Sequence, residues 1–210
     1  MKIYTRTGDD GTTGLLFGGR VPKDSDVIWA NGSVDEAQAA LGVVRAEVER
    51  GSELDALLIG LERDLYVLMA EVATAPANRR KLKAGVSLVT ADMVASLETR
   101  IDELTGRFPP ITDFVIPGHD RVSAALDVAR TAARRAERAA LRVFPPSDDD
   151  DPGAGGEERV DDPGGAAPTA GEAGRSLVVQ YLNRLSDLLW TMARWQESGD
   201  SLLSRKATSS

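Results

Sequence analysis

The sequence contains no cysteine and only one histidine, His119. Without cysteine the chain can form no disulfide, no thiolate metal site and no cysteine nucleophile. A single histidine gives poor support to a multi-histidine zinc site or to a serine–histidine–aspartate triad. A cytoplasmic location fits this composition, and any chemistry must rest on other residue types.

Aromatic residues and long apolar runs are scarce as well. Aromatic residues make up 5% of the 210 residues, against 42% for all hydrophobic types, so we expect an aliphatic, alanine-rich core. This composition favours helices packed on helices over a β-sandwich. No apolar run approaches the length of a membrane span, and the opening MKIYTRTG lacks the apolar region of a signal peptide. We expect neither a membrane nor a nucleic acid as a partner.

The formal net charge of −8 comes from one segment of the chain. Residues 145–174 contain nine acidic side chains and a single base, Arg159, so the remaining chain is neutral. Seven glycines and five prolines lie among the same residues. Such a segment cannot bury enough apolar surface to become ordered. We predict a disordered acidic insertion between two helices. Because this insertion carries the negative net charge, that charge says nothing about the ligand of the folded part.

The most distinctive stretch is residues 127–142, DVARTAARRAERAALR. It contains no glycine or proline, and alanine and arginine are strong helix formers, so it predicts one α-helix. Alanines would allow close approach of a neighbouring helix. Four arginines recur every four residues and form one stripe: Arg130, Arg134, Arg138 and Arg142. The pattern alone leaves two interpretations open, a solvated face with Glu137 as an ion-pair partner, or a receptor for phosphate groups.

A second unusual stretch is TRTGDDGTTGLLFGGRVPKD, residues 5–24. Its glycines allow backbone N–H groups to turn towards an anion, and its threonines add hydroxyl donors. Arg6, Arg20 and Lys23 supply positive charge. No Gly-Lys-Ser/Thr sequence follows, so this is not a Walker loop. The alternative is a plain β-hairpin with a turn at Asp-Asp-Gly.

Five helices are predicted along the chain. Ser33 and Glu36 form a capping-box pattern, which predicts a helix from residue 33 to about residue 50 with Asp35 in its first turn. Residues 53–75 have the apolar rhythm of an amphipathic core helix. Thr90 is expected to cap a third helix that ends near Thr105. The fourth helix is the arginine-rich stretch, and the fifth spans residues 175–198.

Two further segments complete the prediction. Residues 108–118 cannot be helical, because prolines flank the apolar Phe114-Val115-Ile116. In the last helix a second polar-edged stripe is formed by Asn183, Asp187, Trp190 and Arg194, and a surface position is expected for Asn183. The predicted fold is all-α, a five-helix bundle with an ordered glycine-rich N-terminal loop. One domain would span residues 1–198, and residues 199–210 would be a flexible tail.

Three segments together resemble a known family. These are the glycine-rich stretch, then FVIPGHDRVSAALDVARTAARRAER, residues 114–138, and finally YLNRLSDLLW, residues 181–190. In this order they are similar to the signature segments of the PduO-type ATP:cob(I)alamin adenosyltransferases. The resemblance covers most of residues 3–197 and leaves out the acidic insertion and the tail.

The resemblance implies an activity and an assembly. Family members are homotrimers of helical bundles with active sites between neighbouring subunits. They transfer the 5′-deoxyadenosyl group of ATP to the Co(I) of cobalamin and release triphosphate. Mg²⁺ would accompany ATP, and a reductase and an adenosylcobalamin-dependent mutase would be partners.

The resemblance also implies roles for individual residues. One set would contact ATP: Thr5, Arg6, Thr7, Gly8, Thr13, Lys23, Arg134, Arg135, Glu137, Arg138 and Asn183. A second set would contact cobalamin: Asp35, Phe114, Pro117 and Gly118. Three of these residues would be catalytic, because Asp35 would pair with Arg134 across the subunit interface and Phe114 would displace the lower axial ligand of the corrin.

The chain departs from the family pattern at two places. The family usually has Gly-Gly after the proline of this loop, whereas here Gly118 is followed by His119 and Asp120. Ala37-Gln38 stands for the usual Leu-Asn. An alternative function is therefore a corrinoid carrier that delivers adenosylcobalamin to a mutase with little or no catalysis. A nucleotide hydrolase is a third possibility, against which the lack of a Walker lysine and of a general base argues.

Overall fold

The computed structural model describes Tyr4 and residues 6–145, 176–199 and 201–204. Most of the predicted acidic insertion, like residues 205–210, lies outside the described residues. Within the described ranges the chain forms two short strands, five α-helices and one 3₁₀ segment, Pro76–Lys81. The strands and helices are β1 Thr12–Gly14, β2 Arg20–Pro22, α1 Asp26–Glu47, α2 Glu53–Val72, α3 Ala91–Thr105, α4 Arg121–Ala140 and α5 Val178–Gln196. The predicted all-α helical-bundle class is confirmed.

Helix α4 lies at the centre of the bundle, where it packs along both α1 and α5. Its alanines form the buried face that the sequence predicted: Ala129, Ala133, Ala136 and Ala140 are 0% exposed. Small side chains allow the helix axes to come close together. α3 packs on α5, and α2 packs on α1. In the ranges that the structure describes, no helix is long and apolar enough to cross a bilayer.

The N-cap of the first helix lies eight residues earlier than predicted. Its N-cap is Ser25, so Ser33 lies in the helix interior, buried, and its Oγ donates to the Trp29 carbonyl oxygen at 2.9 Å. The capping box at Ser33 is therefore wrong, and Asp35 is not in a first turn. Burial on both sides of Gly32 explains the difference, because Ala30 and Val34 are both 0% exposed and hold this turn helical.

The ends of the next helices agree better with the sequence. Thr90 caps α3, because its hydroxyl accepts a hydrogen bond from the Met93 amide at 3.3 Å. α2 ends at Val72, and Pro76 begins the 3₁₀ segment. Three of the predicted core leucines of α2, namely Leu58, Leu65 and Leu68, are 0% exposed.

The glycine-rich stretch forms a small antiparallel hairpin. Thr13 pairs with Val21, and the turn lies at residues 15–19, where Gly18 and Gly19 have φ values of 96° and 98°. The Asp-Asp-Gly sequence is therefore not the hairpin turn, because it precedes β1 and the paired strands are joined by residues 15–19. The hairpin is docked on the end of α2, where the Leu16 amide donates to the Ala73 carbonyl oxygen at 2.8 Å.

A buried ionic cluster joins α4 to α5. It consists of Asp127, Arg130, Arg194 and Glu197. Arg194 Nη2 donates to Asp127 Oδ2 at 2.8 Å and to Glu197 Oε1 at 2.9 Å, and Arg130 Nε contacts Asp127 Oδ1 at 3.3 Å. Arg194 is 1% exposed, so it belongs to the interior of the bundle. The burial is possible because two carboxylates balance two guanidinium groups.

The residues after α5 pair with the loop before α4. Val115 forms an antiparallel bridge with Leu203. The Ile116 amide donates to the Leu202 carbonyl oxygen at 2.8 Å, and the Ser204 amide donates to the Phe114 carbonyl oxygen at 2.7 Å. Residues 201–204 are therefore not the flexible tail that was expected. Backbone pairing of this kind depends little on side-chain identity, which is why the sequence pattern did not reveal it.

Candidate active site

Arg20 organises the glycine-rich hairpin from within. Its Nη2 donates to the Thr7 carbonyl oxygen at 2.7 Å, and its Nε donates to Thr12 Oγ1 at 2.9 Å. Asp10 accepts a hydrogen bond from the Thr12 amide at 2.9 Å, and this bond is the main cause that lowers the pKa of the Asp10 carboxyl below its usual 3.8. The Arg20 guanidinium and the Asp10 carboxylate are therefore engaged in contacts within this segment rather than available to a ligand.

Lys23 lies against Gly8, which brings together two of the predicted ATP contacts. A Cβ added at Gly8 would be 3.0 Å from Lys23 Nζ, so a side chain here would displace the ammonium group. In the described part of the chain Lys23 has no ion-pair partner. Among the other predicted contacts of this segment, the Arg6 guanidinium lies 5.7 Å from the Tyr4 ring centroid, Thr13 is in β1, and Thr5 lies outside the described residues.

The arginines of α4 divide into two groups. Arg130, Arg135 and Arg142 are paired with carboxylates of the same chain; for example, Arg135 Nη2 lies 2.5 Å from Glu36 Oε1. Arg134 and Arg138 are exposed and have no hydrogen-bond or ion-pair partner within the described ranges. These two guanidinium groups remain free to bind an anion.

Glu137 does not neutralise the arginine stripe. Its Oε1 accepts a hydrogen bond from Asn183 Nδ2 at 2.9 Å, which joins two predicted ATP contacts on neighbouring helices. Arg184 Nη1 in turn donates to Asn183 Oδ1 at 2.5 Å. The interpretation of Glu137 as the ion-pair partner of the stripe is therefore wrong. The pair with Asn183 fixes the orientation of both side chains beside the free arginines.

Asp35 lies on a different side of the bundle. Its neighbour Glu36 faces α4 through the ion pair with Arg135, whereas Asp35 lines a groove of about 370 Å³ between α1 and α2, together with Arg63 and Tyr66. Asp35 is exposed and is not paired with Arg134 in this chain. The structure therefore does not bring these two predicted catalytic residues together within one subunit.

The Phe114 loop, residues 108–118, presents its aromatic side chain to solvent. Phe114 is 84% exposed, and Pro117 and Gly118 beside it are also exposed. Directly after the loop Asp120 caps α4, because Asp120 Oδ1 accepts from the amides of Val122 at 2.7 Å and Ser123 at 2.9 Å. The Phe114 ring is therefore not part of the core and is accessible to a ligand.

A family model described as cobalamin adenosyltransferase matches residues 3–196. The chain belongs to this family. It is 36% identical over 193 residues to a cobalamin adenosyltransferase of Cupriavidus metallidurans, covering 92% of this chain and 86% of that protein. It is 36% identical over 197 residues to a corrinoid adenosyltransferase of Citrobacter freundii, covering 94% and 96%.

Solved structures agree with this family assignment. One is a variant of the PduO-type ATP:corrinoid adenosyltransferase from Lactobacillus reuteri complexed with cobalamin and ATP. It matches this chain with a TM-score of 0.73 at 25% identity, covering 97% of each chain. The predicted resemblance is confirmed, so this chain is a corrinoid adenosyltransferase with the fold of that family.

One cleft of this adenosyltransferase is not formed by the predicted site residues. It has a volume of about 560 Å³ and lies between the hairpin and the ends of α2 and α4, with Leu15, Val21, Phe144 and Arg142 in its wall. In the described ranges no group of three or more His, Asp or Glu residues is arranged to hold a metal ion. The structural role of Arg20 in the hairpin was not predicted either, because no motif distinguishes such an arginine from one that binds a ligand.

Proposed function

We propose that this chain transfers the 5′-deoxyadenosyl group of ATP to the Co(I) of cobalamin, which yields adenosylcobalamin and triphosphate. One observation carries the proposal. In a chain of the adenosyltransferase family, Lys23, Arg134 and Arg138 have no partner in the described structure, whereas most of the arginines around them are paired. Free cations on an ordered scaffold are what a polyphosphate requires.

ATP would be bound by two elements. The glycine-rich hairpin contributes Lys23 and the backbone around Gly8, and α4 contributes Arg134, Arg138 and the oriented Glu137. The remaining ATP contacts proposed from the family resemblance are Thr5, Arg6, Thr7, Thr13, Arg135 and Asn183. Hydrogen bonds to charged groups contribute about 1.5–3 kcal/mol each, so three or four of them would hold the nucleotide firmly.

The active site would be completed by a second subunit. Asp35 faces the α1–α2 groove, and Arg134 is on the exposed face of α4, so the proposed Asp35–Arg134 pair needs two copies of the chain. We therefore propose a homotrimer in which α4 of one subunit approaches the α1–α2 groove of its neighbour. Closed symmetric assemblies of this kind repeat one interface in every subunit.

The corrinoid would bind at the Phe114 loop. Phe114, Pro117 and Gly118 are exposed beside one another, and Asp35 would complete the pocket. An apolar ring beneath the corrin would exclude water and the lower axial ligand. A cobalt centre without that ligand is easier to reduce, so the protein would tune the cofactor while the cofactor supplies the reactivity.

The chemistry is a single displacement. The Co(I) electron pair attacks C5′ of ATP, a Co–C bond forms, the C5′–O bond breaks, and triphosphate leaves with its electron pair. The chain would place C5′ in line with cobalt, and its cations would neutralise the departing triphosphate. Mg²⁺ is proposed to accompany ATP, and no step is assigned to it. A reductase would supply the electron, and a mutase in the cytoplasm would use the product.

The test is an anaerobic reaction of the purified chain with Mg-ATP and chemically reduced cobalamin. We expect the visible spectrum of a light-sensitive alkylcobalamin and one triphosphate for each product formed. Tight cobalamin binding without product would instead select the carrier, and orthophosphate released without corrinoid would select the hydrolase. The carrier was suggested by His119 and Asp120, but Asp120 has a structural task as the α4 cap.

A further inference from the structure

The turn after α5 is built to fold the chain back onto the Phe114 loop. Ser198 and Gly199 both have left-handed backbone, with φ values of 52° and 92°. Gly199 also packs closely on the start of the loop, because an added Cβ would be 2.9 Å from Pro109 Cδ. A side chain at position 199 is therefore disfavoured twice, by its backbone angle and by the contact.

The buried ionic cluster holds the segment that follows this turn. Glu197 is 2% exposed, and its Oε1 accepts from Arg194 Nη2 at 2.9 Å. Its second oxygen, Oε2, accepts a short hydrogen bond from Ser201 Oγ. The carboxylate thus links the interior of the bundle to residues 201–204, which we call the tail segment.

The tail segment then pairs with the backbone on both sides of Val115. The Ser204 amide donates to the Phe114 carbonyl oxygen at 2.7 Å, and the Ile116 amide donates to the Leu202 carbonyl oxygen at 2.8 Å. Ser204 Oγ also donates to Asp113 Oδ1 at 3.2 Å. Because the Phe114 side chain is 84% exposed, packing of its own ring contributes little to its position.

We propose that Glu197, Gly199 and the tail segment are positioning elements for Phe114. They fix the backbone of the loop so that the exposed ring stands at a defined height beneath the corrin. The effect on the corrinoid rests on the proposed function, since it assumes that Phe114 meets the corrin. We call the attachment of the Phe114 loop to Glu197, Gly199 and the tail segment the clamp. The clamp itself rests only on the contacts described above, so the clamp and the proposed function can fail separately.

The first experiment breaks the pairing with Ser204→Pro. Proline removes the amide that donates to the Phe114 carbonyl oxygen. Ser204→Ala is the matched control, because it keeps the amide and loses only the hydroxyl. We measure amide hydrogen exchange at Ile116 and expect it to be about 10-fold faster or more in Ser204→Pro than in the control. A wild-type exchange rate in Ser204→Pro would overturn the clamp.

The second experiment breaks the turn with Gly199→Ala. Gly106→Ala is the matched control, because Gly106 has φ of −70° and its added Cβ comes no closer than 3.8 Å to another atom. We measure Kd for Co(II)balamin and for ATP separately, and kcat for the complete reaction. For Gly199→Ala and for Ser204→Pro we expect a roughly 10-fold to 100-fold loss of Co(II)balamin affinity or of kcat. Gly106→Ala should keep wild-type values, Ser204→Ala should lose far less than Ser204→Pro because only the hydrogen bond to Asp113 is removed, and ATP affinity should not change.

The outcomes separate the clamp from the proposed function. Faster exchange at Ile116 with unchanged corrinoid affinity and turnover would overturn the positioning role, although the pairing would be real. Loss of ATP affinity in Ser204→Pro would also overturn it, because the tail segment would then act on the nucleotide. If the wild-type chain forms no adenosylcobalamin, the proposed function fails, and Ile116 exchange still decides whether the clamp exists.

Discussion

The arginines of the two central helices form two classes that the sequence does not distinguish. Arg194 and Arg130 are held by buried or half-buried carboxylates, whereas Arg134 and Arg138 are exposed on the same helical bundle without a partner in its described part. The first class joins α4 to α5. The second class makes no ion pair within the described residues, so its guanidinium groups are available to a ligand.

This contrast separates stability from activity. Removing one member of a buried charge pair leaves the other charge uncompensated, which costs far more than the pair itself contributes. Removing an exposed, unpaired arginine costs the fold almost nothing. The arginine substitutions below test whether the two classes behave in these opposite ways, and Phe114→Ala tests the corrinoid side of the site.

The largest effect is expected for Arg194→Met. It leaves Asp127 and Glu197 buried without a cation between them, so the free energy of unfolding should fall by about 3–5 kcal/mol. Urea denaturation followed by circular dichroism measures this. Arg194→Lys, which keeps one charge, should lose less. An Arg194→Met protein as stable as wild type would show that the cluster is not structural.

A smaller loss, in activity alone, is expected for Arg138→Ala. One charge-assisted hydrogen bond to the triphosphate is removed, so ATP affinity should fall roughly 10-fold to 100-fold. The unfolding midpoint should remain that of wild type. Isothermal titration with Mg-ATP and a thermal melt test both parts, and Arg100→Ala, whose partner Glu103 is also exposed, is the control. A destabilised Arg138→Ala would place this arginine in the structural class.

The effect of Phe114→Ala should be confined to the corrinoid. The ring is exposed, so unfolding should change by less than about 0.5 kcal/mol. Reduction of bound cobalamin to Co(I) should slow, because water and the lower axial ligand are no longer excluded, while ATP affinity stays unchanged. Spectroelectrochemical reduction of the bound corrinoid measures it. Loss of nucleotide affinity in this variant would contradict the proposed binding of the corrinoid at the Phe114 loop.

The smallest effect is expected for Arg142→Ala. Its guanidinium lies 3.4 Å from Asp26 with both side chains more than half exposed, so the ion pair is screened by solvent. Pairs of this kind contribute about 0.2–1 kcal/mol. Urea unfolding should detect a loss within that range, and adenosylation should be unaffected. A large loss of activity would move Arg142 into the ligand-binding class.

The sequence predicted most of the helices because their signals are local. The alanine face of α4, the leucine face of α2 and the Thr90 cap follow from spacing within one helix. The predicted start of α1 was wrong because Ser33 and Glu36 match the capping-box pattern although they lie inside the helix. Only burial of Ala30 and Val34 against the rest of the bundle selects Ser25 instead.

The candidate site divides in the same way. A family resemblance proposes Arg134, Arg138 and Phe114, and the structure adds that the first two are unpaired among the described residues. The burial of Arg194 could not be predicted, because its partners Asp127 and Glu197 are brought to it by packing of α4 on α5. The pairing of residues 201–204 with the Phe114 loop is likewise a contact between distant segments with no pattern of its own.

The placement of Asp35 and Arg134 on different sides of the chain has a genetic consequence. In a trimer assembled as proposed, one active site takes Asp35 from one polypeptide and Arg134 from the next. Two inactive alleles, Asp35→Asn and Arg134→Ala, should then complement each other when they are expressed together. Random mixing of equal amounts restores both side chains in about one site in four, and each variant alone restores none. A defect in one gene copy would thus be rescued by a different defect in the other.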